Sequence, residues 1–403
     1  AEFQTSDPTD VGMSPERLQR VDDLLKVAVE EGSIAGAVGL VFRRDRLVYE
    51  GTHGLADVAE QREMTTSTIF RIASMTKPIT CAAVMILYEE GAFSLGDPVS
   101  NHLPEFADVK VMPSDDSQTA GEAARRPIQI RDLLTHTSGM SYHWNPRIGP
   151  QYVASGIAHG LIQDENSLQE DMRALAAIPL LHHPGERWTY GLSIDVLGRL
   201  VEVVSGEDFA SFLANRIFGP LEMIDTRFQL RESEGSRLAR VYSNESGQLR
   251  RMVTDSTYSA GGLPFTVDYP YAGVNNSSAG GGGLISTAHD YARFALMLEN
   301  GGVLNGVRVL SRKGVDLMTS NHVGDLFADG SAGFGFGVAV VRSPGEFGEM
   351  SSPGSFFWNG FFGTHFWVDP QEELVFVLMK QQYPFHTGLR NRFRTLVYQA
   401  IED

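Results

Sequence analysis

Strand-like segments lie only at the two ends of this chain, and that distribution constrains the fold more than any other feature. Near the N-terminus, residues 35–42 (Ala-Gly-Ala-Val-Gly-Leu-Val-Phe) and 46–50 flank a charged turn at 43–45, which reads as a β-hairpin. The next strand patterns come late, at 335–341, 363–368 and 374–378. Neither set can bury its own faces, so the two ends must share one sheet. Between them, residues 92–279 read as loops and helices, with helical patterns at 130–135, 168–177, 193–204 and 209–217. A helix over 15–31 precedes the hairpin, with Ser14 as N-cap and Leu18, Val21, Leu24, Leu25 and Ala28 on one face; another closes the chain over 387–401. At 403 residues the chain is longer than one hydrophobic core usually holds. The expectation is an α+β protein of two domains: residues 1–91 with 280–403 around the sheet, and residues 92–279, mostly helical.

Charge and cysteine content exclude several function classes. The net charge of -17 disfavours nucleic acid and anionic membranes as partners. It says little about a neutral ester or amide. Cys81 is the single cysteine, so neither an intramolecular disulfide nor a cysteine metal cluster is available. No run of about 18 apolar residues occurs, so no transmembrane helix is expected. The N-terminal Ala1-Glu2-Phe3-Gln4 has neither an initiator Met nor a signal-peptide apolar region. The lack of disulfides leans towards the cytoplasm and leaves a periplasmic or secreted location open. No metal or organic cofactor is implied, and the sequence does not set the oligomeric state.

One helix start carries chemistry. In Phe70-Arg71-Ile72-Ala73-Ser74-Met75-Thr76-Lys77-Pro78, a serine precedes a lysine by three residues. Positions i and i+3 share a helical face, so Oγ and Nζ can meet. A hydroxyl is a poor nucleophile until a base takes its proton, and a neutral amine can do so. Pro78 lacks an N–H and belongs in a first helical turn, which places the helix start near Ser74. The helix then runs through apolar residues to Gly91, a suitable C′ residue. Ser74 thus falls at a helix N-terminus, where developing negative charge is stabilised. Among five lysines, only Lys77 has a serine three residues before it. The competing reading is a solvated lysine beside a capping serine, but the helix that follows is too apolar for the surface.

Further phrases follow in order: Leu95-Gly96-Asp97-Pro98-Val99, Ile130-Arg131-Asp132-Leu133-Leu134-Thr135-His136-Thr137-Ser138-Gly139, Pro184-Gly185-Glu186-Arg187-Trp188-Thr189-Tyr190, Gly282-Gly283-Leu284-Ile285-Ser286-Thr287 and Trp358-Asn359-Gly360. With the Ser74 run, these six resemble serine hydrolases of the β-lactamase fold, most closely the family VIII carboxylesterases similar to class C β-lactamases. The resemblance covers nearly the whole chain. It implies an antiparallel sheet flanked by helices, a mostly helical second domain, and an active site in the cleft between them. It also implies that Ser74 is the nucleophile, Lys77 its helical partner and Tyr190 the tyrosine of the Tyr-x-Asn element. A phenol titrates near about 10, so Tyr190 serves as a base only beside a cation such as Lys77. Trp358-Asn359-Gly360 falls where β-lactamases carry Lys-Thr-Gly. By the same resemblance, the backbone N–H groups of Ser74 and Phe361 form an oxyanion hole, and Trp358, Asn359, Gly360 and Leu192 bind substrate.

Two departures point towards esters. Trp358 removes the lysine that would attract the carboxylate of a β-lactam, and Leu192 replaces the asparagine that would bind its side-chain amide. The expectation is a carboxylesterase acting on a small, neutral, short-chain ester through an acyl-enzyme. The alternatives are a β-lactamase, D-amino-acid peptidase or amidase, an acyltransferase, and a catalytically inactive binding protein. No Gly-x-Ser-x-Gly and no His-Glu-x-x-His occurs, which argues against an α/β-hydrolase and a zinc hydrolase. Asp195 is expected to cap a helix, His136 to be a satisfied core residue, and Tyr142, Trp144, Phe356, Phe357 and Phe362 to pack in the core or loops more readily than in an acyl pocket. His365 is a lesser candidate for the cleft rim.

Overall fold

The computed structural model describes residues 2–113, 121–162, 165–245, 247–271, 278–385 and 387–403. Its centre is an eight-stranded antiparallel sheet formed from both chain ends. In chain order its strands are β1 (Gly36–Arg43), β2 (Arg46–Asp57), β3 (Arg62–Glu63), β4 (Ala332–Phe334), β5 (Ala339–Val341), β6 (Phe356–Asn359), β7 (His365–Asp369) and β8 (Leu374–Lys380). The spatial order is β4-β5-β6-β7-β8-β1-β2-β3, so the two ends join where β8 pairs with β1. There Val38 faces Met379 and Leu40 faces Val377.

Both faces of this sheet are covered, which explains why its central strands read as continuous apolar runs. Along β8 the residues alternate between two cores, as a period of two requires. Leu374, Phe376 and Leu378 pack with Leu18, Val21 and Leu25 of the helix Pro15–Glu30 and with Phe393 and Val397 of the helix Thr387–Tyr398. Val375, Val377 and Met379 turn to the opposite core, which holds the helices Thr76–Glu89 and Ala288–Glu299. Gly39 permits this closeness: a Cβ there would meet Phe393 and Leu25 at 3.0 and 3.1 Å.

One expected strand is instead a turn between two. Of the run 335–341 only 339–341 is strand, in β5; residues 335–338 form the tight turn that joins it to β4, because Gly337 has φ +74 and Gly335 N–H bonds the Val338 carbonyl. A left-handed residue breaks the ladder that the apolar pattern suggested. That turn rests on the Ser74 helix, where a Cβ on Gly337 would lie 2.9 Å from Cys81 Sγ.

The middle segment holds the helices Ile130–Leu134, Gly149–Ala154, Leu168–Ala176, Ser193–Ser205 and Phe209–Leu213, with short hairpins such as Tyr242–Glu245 with Gln248–Arg251. The largest core cluster is continuous from the sheet (Val38, Val377) through the Ser74 helix to Leu133 and Leu197 of this segment. We therefore propose the division of residues 92–279 from the two ends as one of topology, with the core shared across it. Among the described residues no helix is long and apolar enough to cross a membrane.

Candidate active site

The α-helix proper starts at Thr76, two residues later than the sequence pattern suggests, behind a 3-10 turn at Ala73–Met75. Pro78 is its third residue, inside the first turn as expected. Ser74 sits on that turn, after Ala73 at φ +45, a conformation alanine rarely adopts. Strong anchoring holds it. Phe70–Arg71 pairs with Ile285–Ser286, and the buried Arg71 guanidinium donates to the carbonyls of Ala239 and Val267. The Gln381 side chain bonds both the N–H and the carbonyl of Arg71, at 3.0 and 3.1 Å.

Lys77 is fully buried and has three acceptors: Ser74 Oγ at 3.2 Å, Tyr142 Oη at 2.8 Å and the Gly281 carbonyl at 2.6 Å. An ammonium has three hydrogens, so this set matches its capacity. The Gly281 carbonyl is itself fixed, because Gly281 N–H donates to Asp195 Oδ1 at 3.0 Å. A side chain on Gly281 would collide with that carboxylate, which accounts for one glycine of the run 280–283. Burial pushes the Asp195 carboxyl up to about 6, with Lys77 and the Gly281 N–H offsetting part of the shift. This bond across 86 residues, rather than the expected capping of its own helix, is the role of Asp195.

Tyr190 Oη lies 2.7 Å from Ser74 Oγ, and Lys77 Nζ sits 4.6 Å from the Tyr190 ring centre. The ring is held between Trp188, stacked at 5.9 Å, and Trp144, stacked at 6.1 Å. Gly191 lets the following backbone touch the Ser141 loop, since a Cβ there would lie 2.5 Å from Ser141 Cα. Burial, with Tyr190 and Asp195 beside it, pushes the Tyr142 phenol well above its ordinary value, so Tyr142 stays protonated. His136 is buried against Tyr190 as a core residue, but it is not satisfied: among the described residues neither ring nitrogen has a hydrogen-bond partner. Burial and the nearby Lys77 charge keep it neutral, well below the usual histidine range.

The backbone N–H groups of Ser74 and Phe361 donate to no hydrogen bond among the described residues. Gly360, the residue before Phe361, packs against the segment that leads into Ser74. Its N–H bonds the Thr364 carbonyl at 2.8 Å, and its Cα is pressed against the Ile72 carbonyl that precedes Ser74. Asn359 Oδ1 accepts from Arg390 Nη1 at 2.8 Å and from His365 Nδ1 at 2.7 Å, which leaves the amide nitrogen as its remaining donor group.

Ser74, Tyr190, Trp358, Asn359, Gly360 and Phe361 line one cavity of about 450 Å³. Lys77 lies beneath it. Trp144, Trp188, Leu161, Leu263 and Phe385 make its remaining walls largely apolar, and Tyr142 belongs to this site rather than to plain packing. Leu192 does not reach it. That residue caps the helix Ser193–Ser205 and is fully buried in the core, because the chain turns inward immediately after Gly191. His365 is buried behind Asn359, not at a rim. Tyr142, Trp144, Asp195 and the Gly281 carbonyl are the site groups that sequence reasoning missed or set aside. Among the described residues, no group of three or more His, Cys, Asp or Glu side chains is placed to hold a metal ion.

Comparison with known proteins gives the family. The chain is 34% identical over 380 residues to an uncharacterized protein of Mycobacterium tuberculosis, covering 89% of each. It is 31% identical over 371 residues to Esterase EstB of Burkholderia gladioli, covering 90% of each. Among solved structures it is similar to EstCE1, described as a hydrolase with promiscuous acyltransferase activity, with a TM-score of 0.83 and 26% identity over 96% of this chain and 98% of that one. The sequence profile of the Beta-lactamase family matches residues 21–399, and the chain belongs to that family.

Proposed function

We propose that this protein is a serine carboxylesterase that cleaves small neutral esters through an acyl-enzyme on Ser74. The observation that carries the reading is the position of Ser74 Oγ, 2.7 Å from Tyr190 Oη and 3.2 Å from Lys77 Nζ, under an apolar cavity. In this reading Ser74 Oγ attacks the ester carbonyl as Tyr190 takes its proton. The Lys77 ammonium, held by three acceptors, stabilises the phenolate that precedes this step. The carbonyl oxygen becomes an oxyanion held by the N–H groups of Ser74 and Phe361, each worth roughly 3 kcal/mol. The intermediate then expels the alkoxide, which takes the proton from Tyr190. Water enters, gives its proton to Tyr190 and releases the acid, and Ser74 regains a proton.

Neutral substrates suit this cavity. Trp358 presents a ring where a cation would recruit a carboxylate, and Arg390 is engaged with Asn359 and does not itself line the cavity. That argues against a β-lactamase, peptidase or amidase role. A second reading, transfer of the acyl group to an alcohol, is favoured by the promiscuous acyltransferase activity of EstCE1 and by apolar walls that limit water. The test is covalent labelling by a p-nitrophenyl alkylphosphonate, followed by peptide mass spectrometry. The adduct is expected on Ser74 with loss of ester turnover in step; an adduct elsewhere, or turnover that survives labelling of Ser74, overturns the assignment.

A further inference from the structure

A second apolar space adjoins the active-site cavity. It is a groove of about 420 Å³, close in size to the 450 Å³ of the cavity itself. Pro146, Pro150, Val153 and Ala154 give it mostly apolar walls, and Val153 is half-exposed. Among the described residues Trp144 alone lines both spaces. The wall between them is thin. His143 lines the groove and His159 the cavity, and their rings meet edge-on at 4.7 Å. Gly262 of the groove is followed directly in the chain by Leu263 of the cavity.

Trp144 is braced from two directions. Its ring contacts Tyr142, with centres 4.7 Å apart, and stacks on Tyr190 at 6.1 Å. Its backbone rests on the hairpin turn Gly261–Gly262, where a Cβ on Gly261 would lie 3.7 Å from Trp144 Cβ and one on Gly262 would lie 3.6 Å from Trp144 Cα. Moving the indole aside would break both ring contacts, so it stands as a fixed wall. An alkyl chain gains by leaving water in proportion to the apolar surface it covers. The groove offers such surface, and the indole separates it from Ser74. We propose that Trp144 is a specificity-determining residue that ends the cavity and confines the enzyme to short chains, and that without its indole the groove receives the far end of a longer alkyl chain. This rests on the esterase reading above. The chain belongs to either the acyl or the alkoxy part of the ester, and two substrate series tell these apart.

The test measures kcat/KM for p-nitrophenyl butyrate and octanoate, and by pH-stat for butyl and octyl butyrate, in wild type, Trp144→Ala and Trp144→Ala/Ala154→Trp. Ratios of long to short chain are compared, because Trp144 touches Tyr190 and its loss lowers every rate. Wild type is expected to disfavour the octyl chain in at least one series. A buried methylene contributes about fourfold, so two of them reaching the groove should raise that ratio roughly 16-fold in Trp144→Ala. The double variant, which refills the groove from its far side, should return the ratio towards wild type. An octyl chain accepted by wild type as readily as a butyl one in both series overturns the proposal, and this result needs no variant to fold. A ratio that Trp144→Ala leaves unchanged in both series overturns it too, and so does a gain that Ala154→Trp does not reverse. A parallel arm measures calorimetric affinity of Ser74→Ala, with and without Trp144→Ala, for methyl butyrate, methyl octanoate and octyl butyrate. Absence of all ester turnover would overturn the esterase reading instead, and this binding arm would still decide the role of Trp144.

Discussion

Removing one oxygen from Tyr142 should weaken both the fold and the chemistry. Lys77 Nζ is bonded to Ser74 Oγ at 3.2 Å, Tyr142 Oη at 2.8 Å and the Gly281 carbonyl at 2.6 Å, and Lys77 has no exposed surface. Tyr142→Phe deletes the second acceptor but keeps the ring, whose centre is 5.3 Å from Nζ, so packing is nearly conserved. A hydrogen bond to a charged group contributes about 1.5–3 kcal/mol. The variant should therefore lose about 2 kcal/mol of stability in urea unfolding. The ammonium that offsets charge on Tyr190 is also less firmly held, so acylation should slow by about tenfold or more. Tyr152→Phe is the control: its Oη accepts the neutral Ser141 N–H at 3.3 Å, and its loss should cost about 1 kcal/mol. Stopped-flow acylation with p-nitrophenyl butyrate and urea melts on both variants read the outcome. A Tyr142→Phe protein within 0.5 kcal/mol of wild type, roughly the error of such melts, and acylating within about twofold, under 0.5 kcal/mol in barrier, would refute the argument that Lys77 depends on this oxygen.

Other perturbations separate the remaining parts of the site. Gly360→Ala would press a methyl group onto the Ile72 carbonyl and displace the Phe361 N–H, so kcat should fall about 100-fold, the effect of one oxyanion donor; steady-state kinetics showing wild-type kcat would contradict this. The added Cβ would collide with Thr364 Oγ1 and with the Ile72 carbonyl oxygen; Thr364→Ala removes the first contact but not the backbone one, so it should not restore activity. Asp195→Asn should flatten the pH dependence of stability. A carboxyl raised to about 6 stabilises the fold below its unfolded value, and that contribution is lost as pH rises from about 4 through 6. The difference between wild type and variant should change by about 3 kcal/mol across that window, and a constant difference would show that Asp195 is ionised throughout. Trp358→Lys should raise nitrocefin turnover relative to ester turnover, since it restores a cation to the cavity; an unchanged ratio would mean that the ring does not set the preference for neutral substrates.

Local patterns made much of this molecule readable. Ser14 and the spacing of Leu18, Val21 and Leu25 mark the first helix, and Pro78 with Gly91 brackets the Ser74 helix. The strand runs at both ends do share one sheet, because each needed the other to be buried. Contacts between distant segments left no such mark. Lys77 reaches Tyr142 across 65 residues and the Gly281 carbonyl across 204, and no periodicity reports either bond. Leu192 shows the opposite error: its position after Tyr190 suggested a binding residue, but the tight Gly191 contact with Ser141 turns the chain into the core. Apolar alternation at 335–341 concealed a turn, because Gly337 at φ +74 has no signature in hydrophobicity.

The central claim is that Ser74 forms an acyl-enzyme from neutral esters. A burst experiment tests it most directly: wild type and Ser74→Ala are each mixed with p-nitrophenyl butyrate, with nitrocefin in parallel. The account predicts rapid release of nitrophenol that disappears in the alanine variant, with nitrocefin slow or silent. Fast nitrocefin turnover with negligible ester cleavage, or ester cleavage that survives Ser74→Ala, would contradict it.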